Sequence, residues 1–176
     1  KAFQNIWRTD PIQLKLLLIL GTTHIQNGEY DKALEFFNEF DELFSGLDEE
    51  SKDRMLLLTV KNNTAVCLIK QWEKSPDSVA LENVKIMLKK QLENQPTTGQ
   101  ITAVLYNNLA TACCYSGNIE EAKNWCELAI KNDNSYPEPY NTMSTIYEAI
   151  GNVEFANLFK EKMSKISKNV EVSELT

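Results

Sequence analysis

Cys67, Cys113, Cys114 and Cys126 are the four thiols of this chain, and His24 is its one imidazole. A zinc site draws paired ligands from short fixed spacings, and the cysteines contain no C-x-x-C pair. His24 is distant from all of them in sequence. Adjacent Cys113 and Cys114 project to different sides of a helix and make poor disulfide partners. These features predict no metal site and no cofactor. They also predict reduced, partly buried thiols in a reducing compartment, the cytoplasm or another such as the nucleus. His24 falls at a helix-packing position, which predicts a core residue rather than a ligand. No Ser/His/Asp or Cys/His constellation stands out, nor a phosphate-binding glycine loop, nor paired carboxylates on a cleft wall. No residue is assigned a catalytic role, and the expectation is a protein that is not an enzyme. Asn62-Asn63-Thr64 matches a glycosylation sequon, but it falls in the middle of a helical stretch.

The rest of the composition bounds what these residues can belong to. The chain has 176 residues, 43% of them apolar, which is enough for a substantial core. Its net charge is −7, so it would repel a phosphate backbone, and nucleic-acid binding by direct charge is disfavoured. Only 6 Gly and 5 Pro are present, too few for collagen-like or low-complexity classes or for a fold built on many tight β-turns. The longest apolar run, Leu16 to Leu20, falls far short of the roughly 20 residues of a membrane span. The sequence opens at Lys1 without a Met or a secretory signal, which predicts a piece cut from a longer protein.

Internal repetition supplies the organisation. Around Gly117 stand Tyr106, Leu109, Ala110, Cys113, Ile119, Ala122, Cys126 and Ala129. The same offsets around Gly151, 34 residues on, give Tyr140, Met143, Ser144, Tyr147, Val153, Ala156, Lys160 and Met163. Around Gly28 they give Leu17, Leu20, Gly21, His24, Tyr30, Ala33, Phe37 and Phe40. Each segment reads as a helix, a left-handed glycine stop and a second helix. Small residues recur at two crossing points: Gly21, Ala110 and Ser144 in the first helices, Ala33, Ala122 and Ala156 in the second. A degenerate unit lies between, where Asn62-Asn63-Thr64-Ala65-Val66-Cys67 echoes Asn107-Asn108-Leu109-Ala110-Thr111-Ala112. Ser75-Pro76 is expected to cap and open its second helix, and Pro96 to Gly99 to end it.

Leu17-x-x-Leu20-Gly21-x-x-His24, Gly28-Glu29-Tyr30-Asp31-Lys32-Ala33-x-x-x-Phe37 and the 34-residue spacing resemble the tetratricopeptide repeat family. Tyr106-x-x-Leu109-Ala110, Gly117 and Ala122-x-x-x-Cys126-x-x-Ala129 match equally well. Two features depart from the pattern: Pro137 and Pro139 open the last repeat instead of closing one, and Lys160 stands where an aromatic is usual. The resemblance implies an all-α helical-repeat solenoid of four antiparallel helix pairs across residues 11–168. The units fall near 11–46, 52–94, 100–136 and 137–168, with helices near 11–26, 30–45, 52–71, 76–93, 100–116, 119–132, 137–150 and 153–167, each bound good to about 2–4 residues. Residues 1–10 are expected to be an extension or the end of a preceding helix, with Phe3, Ile6 and Trp7 apolar. Residues 169–176 are expected to be a frayed polar tail.

The resemblance also implies a function: a protein–protein interaction module or scaffold subunit that binds a protein or peptide segment in a concave groove lined by first helices. The candidate groove residues are Asn62, Asn63, Val66, Lys70, Asn107, Asn108, Thr111, Tyr115, Asn141 and Thr145. Asn63 and Asn108 occupy equivalent positions, and an amide can pair with a ligand backbone in both directions. The competing expectation is that they bond neighbouring helices. Members that grip a chaperone's C-terminal carboxylate need a Lys and an Asn in an early first helix, and a Lys and an Arg in a later one. Leu18, Thr22, Val104 and Asn108 stand at those places, so that partner is not expected. A peptide-sensing regulatory domain and a self-associating scaffold, hence a homo-oligomer, are the alternative readings.

Charge and the chain end add two expectations. Glu29 to Glu50 holds nine acids and one base, and the last helix carries Lys160, Lys162, Lys165 and Lys168. Both read either as solvated faces or as complementary docking ends. Phe155, Leu158, Phe159, Met163 and Ile166 give that helix a wide apolar stripe. It meets another subunit, a second copy or more of the parent chain, unless Phe155 and Phe159 turn inward onto Tyr140 and Tyr147. Ala122 is expected to be buried at a crossing, and Glu121 exposed beside it.

Overall fold

The structure, a computed structural model, describes residues 11–93 and 99–174. Among them are eight α-helices: α1 (Pro11–Gln26), α2 (Tyr30–Ser45), α3 (Arg54–Lys74), α4 (Ser78–Glu93), α5 (Gln100–Tyr115), α6 (Ile119–Asn132), α7 (Glu138–Ala149) and α8 (Val153–Glu174). A short 3-10 turn, Glu49–Ser51, precedes α3, and no strand occurs among the described residues. The helices fall into two compact units, the first ending at Lys74 and the second beginning at Ser75.

In the first unit α1 and α2 pack as a pair, and α3 lies against both. The turn between α1 and α2 is set by local chemistry. Gly28 has φ 74°, its N–H donates to the Ile25 carbonyl at 2.9 Å, and the Glu29 N–H donates to the His24 carbonyl at 2.9 Å. This is a Schellman stop, in which a residue without Cβ takes the left-handed conformation and the helix's last carbonyls are satisfied. The Glu29 carbonyl then accepts from the Ala33 N–H, so one residue closes a helix and opens the next. Leu14, Leu17, Ala33, Phe37, Phe40, Phe44, Val60 and Cys67 form the core. Gly21 is needed there: a Cβ built on it would lie 2.3 Å from Phe37 Cε1.

The second unit runs α4 against α5, α5 against α6, α6 against α7 and α7 against α8, with α5 also touching α7. Gly117 and Gly151 repeat the Schellman stop, with φ 77° and 74° and the same two backbone hydrogen bonds. Ala110, Ala122 and Ala156 are buried at the crossings. Ser144 is buried as well, and its Oγ donates to the Ala156 carbonyl at 3.0 Å, which satisfies the hydroxyl.

Several expectations change. Helix α3 starts two residues later than expected, capped by Asp53, whose Oδ1 accepts from the Leu56 N–H. Asp77, not Ser75, caps α4: its Oδ1 accepts from the Val79 N–H at 2.9 Å, and Ser75 and Pro76 lie ahead of the cap. The polar end expected to fray from residue 169 continues as helix through Glu174. Glu121 is half-buried rather than exposed. Its Oε1 lies 2.7 Å from Lys89 Nζ on α4 and accepts from Trp125 Nε1, and the Lys89 ammonium holds its carboxyl below the ordinary range. Phe159 stacks on Tyr147 at 5.5 Å and approaches Tyr140 at 6.5 Å, and Phe155 stacks on Tyr147 at 5.1 Å. Phe159 is therefore half-buried, whereas Phe155 stays 44% exposed and Leu158 42%, so the last stripe is only partly covered. Lys160 is exposed and pairs with Glu148 at 2.5 Å. The expected N-terminal extension or preceding-helix end, residues 1–10, and the break at Pro96 lie outside the described residues.

Candidate functional site

The candidate residues divide between the units. On α3, Asn62, Asn63, Val66 and Lys70 are half-buried. Asn63 Nδ2 donates to Thr22 Oγ1 of α1 at 3.0 Å, and its Oδ1 accepts from Asn62 Nδ2 at 3.3 Å. The Thr22 hydroxyl donates in turn to the Leu18 carbonyl. The Asn63 amide therefore ties α3 to α1. Lys70 lies 2.8 Å from Glu73 Oε2, one turn further along the same helix.

On α5, Asn107 is only 6% exposed. Its Oδ1 accepts from Thr142 Oγ1 of α7 at 2.9 Å, and its side chain is also bonded to Tyr136, whose hydroxyl burial pushes well above the ordinary phenol range. Asn107 thus faces inward and joins α5 to α7 and the segment before it; as a groove-lining residue it is corrected to a structural one. The helical period explains the error. Asn107 and Asn108 sit about 100° apart, so only one of them can face outward fully. Asn108, Thr111 and Tyr115 are half-buried on α5, while Asn141 and Thr145 are exposed on α7. Thr111 and Thr145 donate to the carbonyls four residues back, Asn107 and Asn141.

Sequence reasoning missed Tyr136 and gave Thr142 and Thr22 no structural task. Their separations of 41, 35 and 29 residues from the Asn that each meets follow no common offset, so the sequence carried no signal for these pairings. It also treated Glu29–Glu50 as one surface, whereas Asp41 pairs with Lys61 and Asp31 accepts from Gln71, both on α3. His24 is half-buried, stacked on Phe36 at 5.3 Å, with Nδ1 2.7 Å from Glu29 Oε2. Lys32 binds the same carboxylate, and these two bonds, the lysine's first, lower the Glu29 pKa.

The cysteines are free, with Cys67, Cys113 and Cys126 buried and Cys114 half-buried. Burial pushes the Cys67 and Cys113 thiols up to about 12 and raises Cys114 and Cys126 as well. Such thiols are protonated at neutral pH and weak nucleophiles. Among the described residues no group of three or more His, Cys, Asp or Glu is placed to hold a metal ion. No described helix is long and apolar enough to cross a membrane.

Residues 14–45 match the tetratricopeptide repeat family and residues 104–133 the PPR repeat family. Two solved structures share the fold. MamA AMB-1 has a TM-score of 0.59 at 16% identity, covering 94% of this chain and 85% of its own. TTC0263, described as a thermophilic TPR protein of Thermus thermophilus, has a TM-score of 0.55 at 15% identity, covering 93% and 100%. Together with the three glycine-stopped helix pairs, these matches show a fold of the tetratricopeptide helical-repeat type, with that family's own pattern matched over residues 14–45. In sequence it is similar to the uncharacterized protein ycf37 of Porphyra purpurea, 26% identical over 127 residues, which is 72% of each chain.

Proposed function

We propose that this chain is a protein–protein interaction module, not an enzyme, and that it holds an extended segment of a protein partner on the outward faces of its first helices. The observation that carries this reading is the row of Asn108, Thr111 and Tyr115 on α5 beside exposed Asn141 and Thr145 on α7. Amides and hydroxyls match the donors and acceptors of an extended backbone, and a tyrosine adds contact area with a polar end. Stacked helical repeats generally use such surfaces for binding. Asn62, Val66 and Lys70 carry similar chemistry on α3 and form a contact surface of the first unit. Asn63 and Asn107 act as ties between helices rather than as ligand groups. The four free cysteines support work in a reducing compartment, the cytoplasm or nucleus.

Affinity capture with the intact chain supplies the partner, and calorimetry then tests the face. Asn108→Ala combined with Tyr115→Ala is expected to weaken binding at least about tenfold, about 1.4 kcal/mol, with the helical circular dichroism retained. Unchanged affinity in that folded variant would move the interface off this face.

A further inference from the structure

The α5–α7 face of the second unit offers hydrogen-bond acceptors more than donors. Glu138, Asn141, Thr145 and Glu148 are all exposed, and their spacing of three, four and three sets them along one side of α7. Asn108, Thr111 and Tyr115 stand on α5, which touches α7. A threonine hydroxyl has one proton to donate and two lone pairs. Thr111 donates its proton to the Asn107 carbonyl at 3.0 Å, Thr145 to the Asn141 carbonyl at 3.2 Å, and Thr142 to Asn107 Oδ1 at 2.9 Å. These protons are engaged within the fold, so what the three hydroxyls can offer a ligand is lone pairs. Ionised Glu138 and Glu148 accept only.

Charge points the same way. Helix α5 contains no acidic or basic residue, and α7 contains Glu138 and Glu148 with no Lys, Arg or His. Lys160 of α8 reaches Glu148 Oε1 at 2.5 Å in a pair about half exposed on both sides, and offsets one of the two charges. The face stays net negative. An acidic segment laid on it would set acceptor against acceptor and like charge against like charge.

Resting on the reading of this face as the binding surface, we propose that its partner is a cationic extended segment, one that carries Lys or Arg. Ammonium and guanidinium groups are donors only, and suit Glu138 and Glu148. The backbone N–H groups of the segment suit the oxygens of Thr111 and Thr145. The Asn141 amide, which donates as well as accepts, serves its carbonyls. The glutamates are exposed, so they select the sign of the partner's charge and speed its encounter more than they tighten the complex.

The probes are labelled synthetic peptide pools of equal length and equal apolar content: one bearing Lys and Arg, one uncharged, one bearing Asp and Glu. Fluorescence anisotropy with the intact chain is expected to rank the cationic pool above the uncharged and the uncharged above the anionic, and added salt should weaken the cationic pool. Glu138→Gln with Glu148→Gln should weaken the cationic pool about fivefold, the scale of two exposed ion pairs, and leave the uncharged pool unchanged. The chain is acidic throughout, with a net charge of −7, so bulk attraction needs its own control. Glu35→Gln with Glu39→Gln removes the same charge from exposed positions of α2 and should leave binding unchanged. Circular dichroism checks that each variant is helical. Asn108→Ala with Tyr115→Ala reads the face itself and should weaken whichever pool binds there. Preference for the uncharged or anionic pool, lost in that variant, overturns the cationic partner and keeps the face. Cationic binding that the Asn108 and Tyr115 changes do not alter overturns both. Cationic binding that the α2 control weakens as much as the α7 pair reduces the effect to bulk charge and overturns the proposal, as does binding of no pool.

Discussion

Replacing Gly21 by alanine separates local helix propensity from packing, because the two push in opposite directions. Gly21 lies inside α1 with ordinary helical geometry, so alanine by itself should stabilise by about 1 kcal/mol through backbone entropy. The structure opposes this. A Cβ at position 21 would lie 2.3 Å from Phe37 Cε1, 2.6 Å from Cζ and 2.9 Å from Cδ1. Phe37 is fully buried in the core with Phe40 and Phe44, so displacing its ring disturbs packed neighbours. Overpacking of a rigid core costs about 1–3 kcal/mol, and three contacts this short on one ring place the cost at the upper end. The net expectation is a loss of about 2 kcal/mol. Urea denaturation followed by circular dichroism measures it as a lower midpoint at an unchanged m value. Phe37→Leu alone also destabilises, by leaving a void, but the two changes together should cost less than their sum, since leucine vacates the space the new Cβ needs. A neutral or stabilising Gly21→Ala, or strictly additive changes, would refute the crossing of α1 and α2 at these residues.

Ala122→Leu at the α5–α6 crossing should cost about 1–3 kcal/mol by the same measurement, because Ala122 is fully buried. The matched control is exposed Glu127→Ala, expected within about 0.5 kcal/mol; Glu121 would be unsuitable because it pairs with Lys89. The cysteines give a pH prediction. Burial holds Cys67 and Cys113 protonated to about 12, whereas unfolded thiols ionise near their ordinary value. Above that value the native state binds more protons than the unfolded one, so stability falls as pH rises from about 9 towards 12. Denaturation midpoints should drop across that window, and Cys67→Ser with Cys113→Ser should flatten the decline.

The helix pairs were legible in the chain because the chemistry that ends one helix and starts the next is local. Gly28, Gly117 and Gly151 each free the backbone for a left-handed stop, and a small residue seven before and five after marks where the pair crosses. Those determinants act within a few residues, so the period of 34 and the limits of α1, α2 and α6 follow from composition at known offsets. The polar faces were different. Helical spacing assigned Asn63 and Asn107 to the side of a first helix but left open what lay opposite. An amide at the edge of a helix face turns outward or inward according to the neighbour it meets. Thr22 faces Asn63, and Thr142 and Tyr136 face Asn107, from 41, 35 and 29 residues away. Glu121 met Lys89 in the same way. Such pairings depend on how helices distant in sequence are set against each other, which no offset within one repeat contains, and only the tertiary structure decides them.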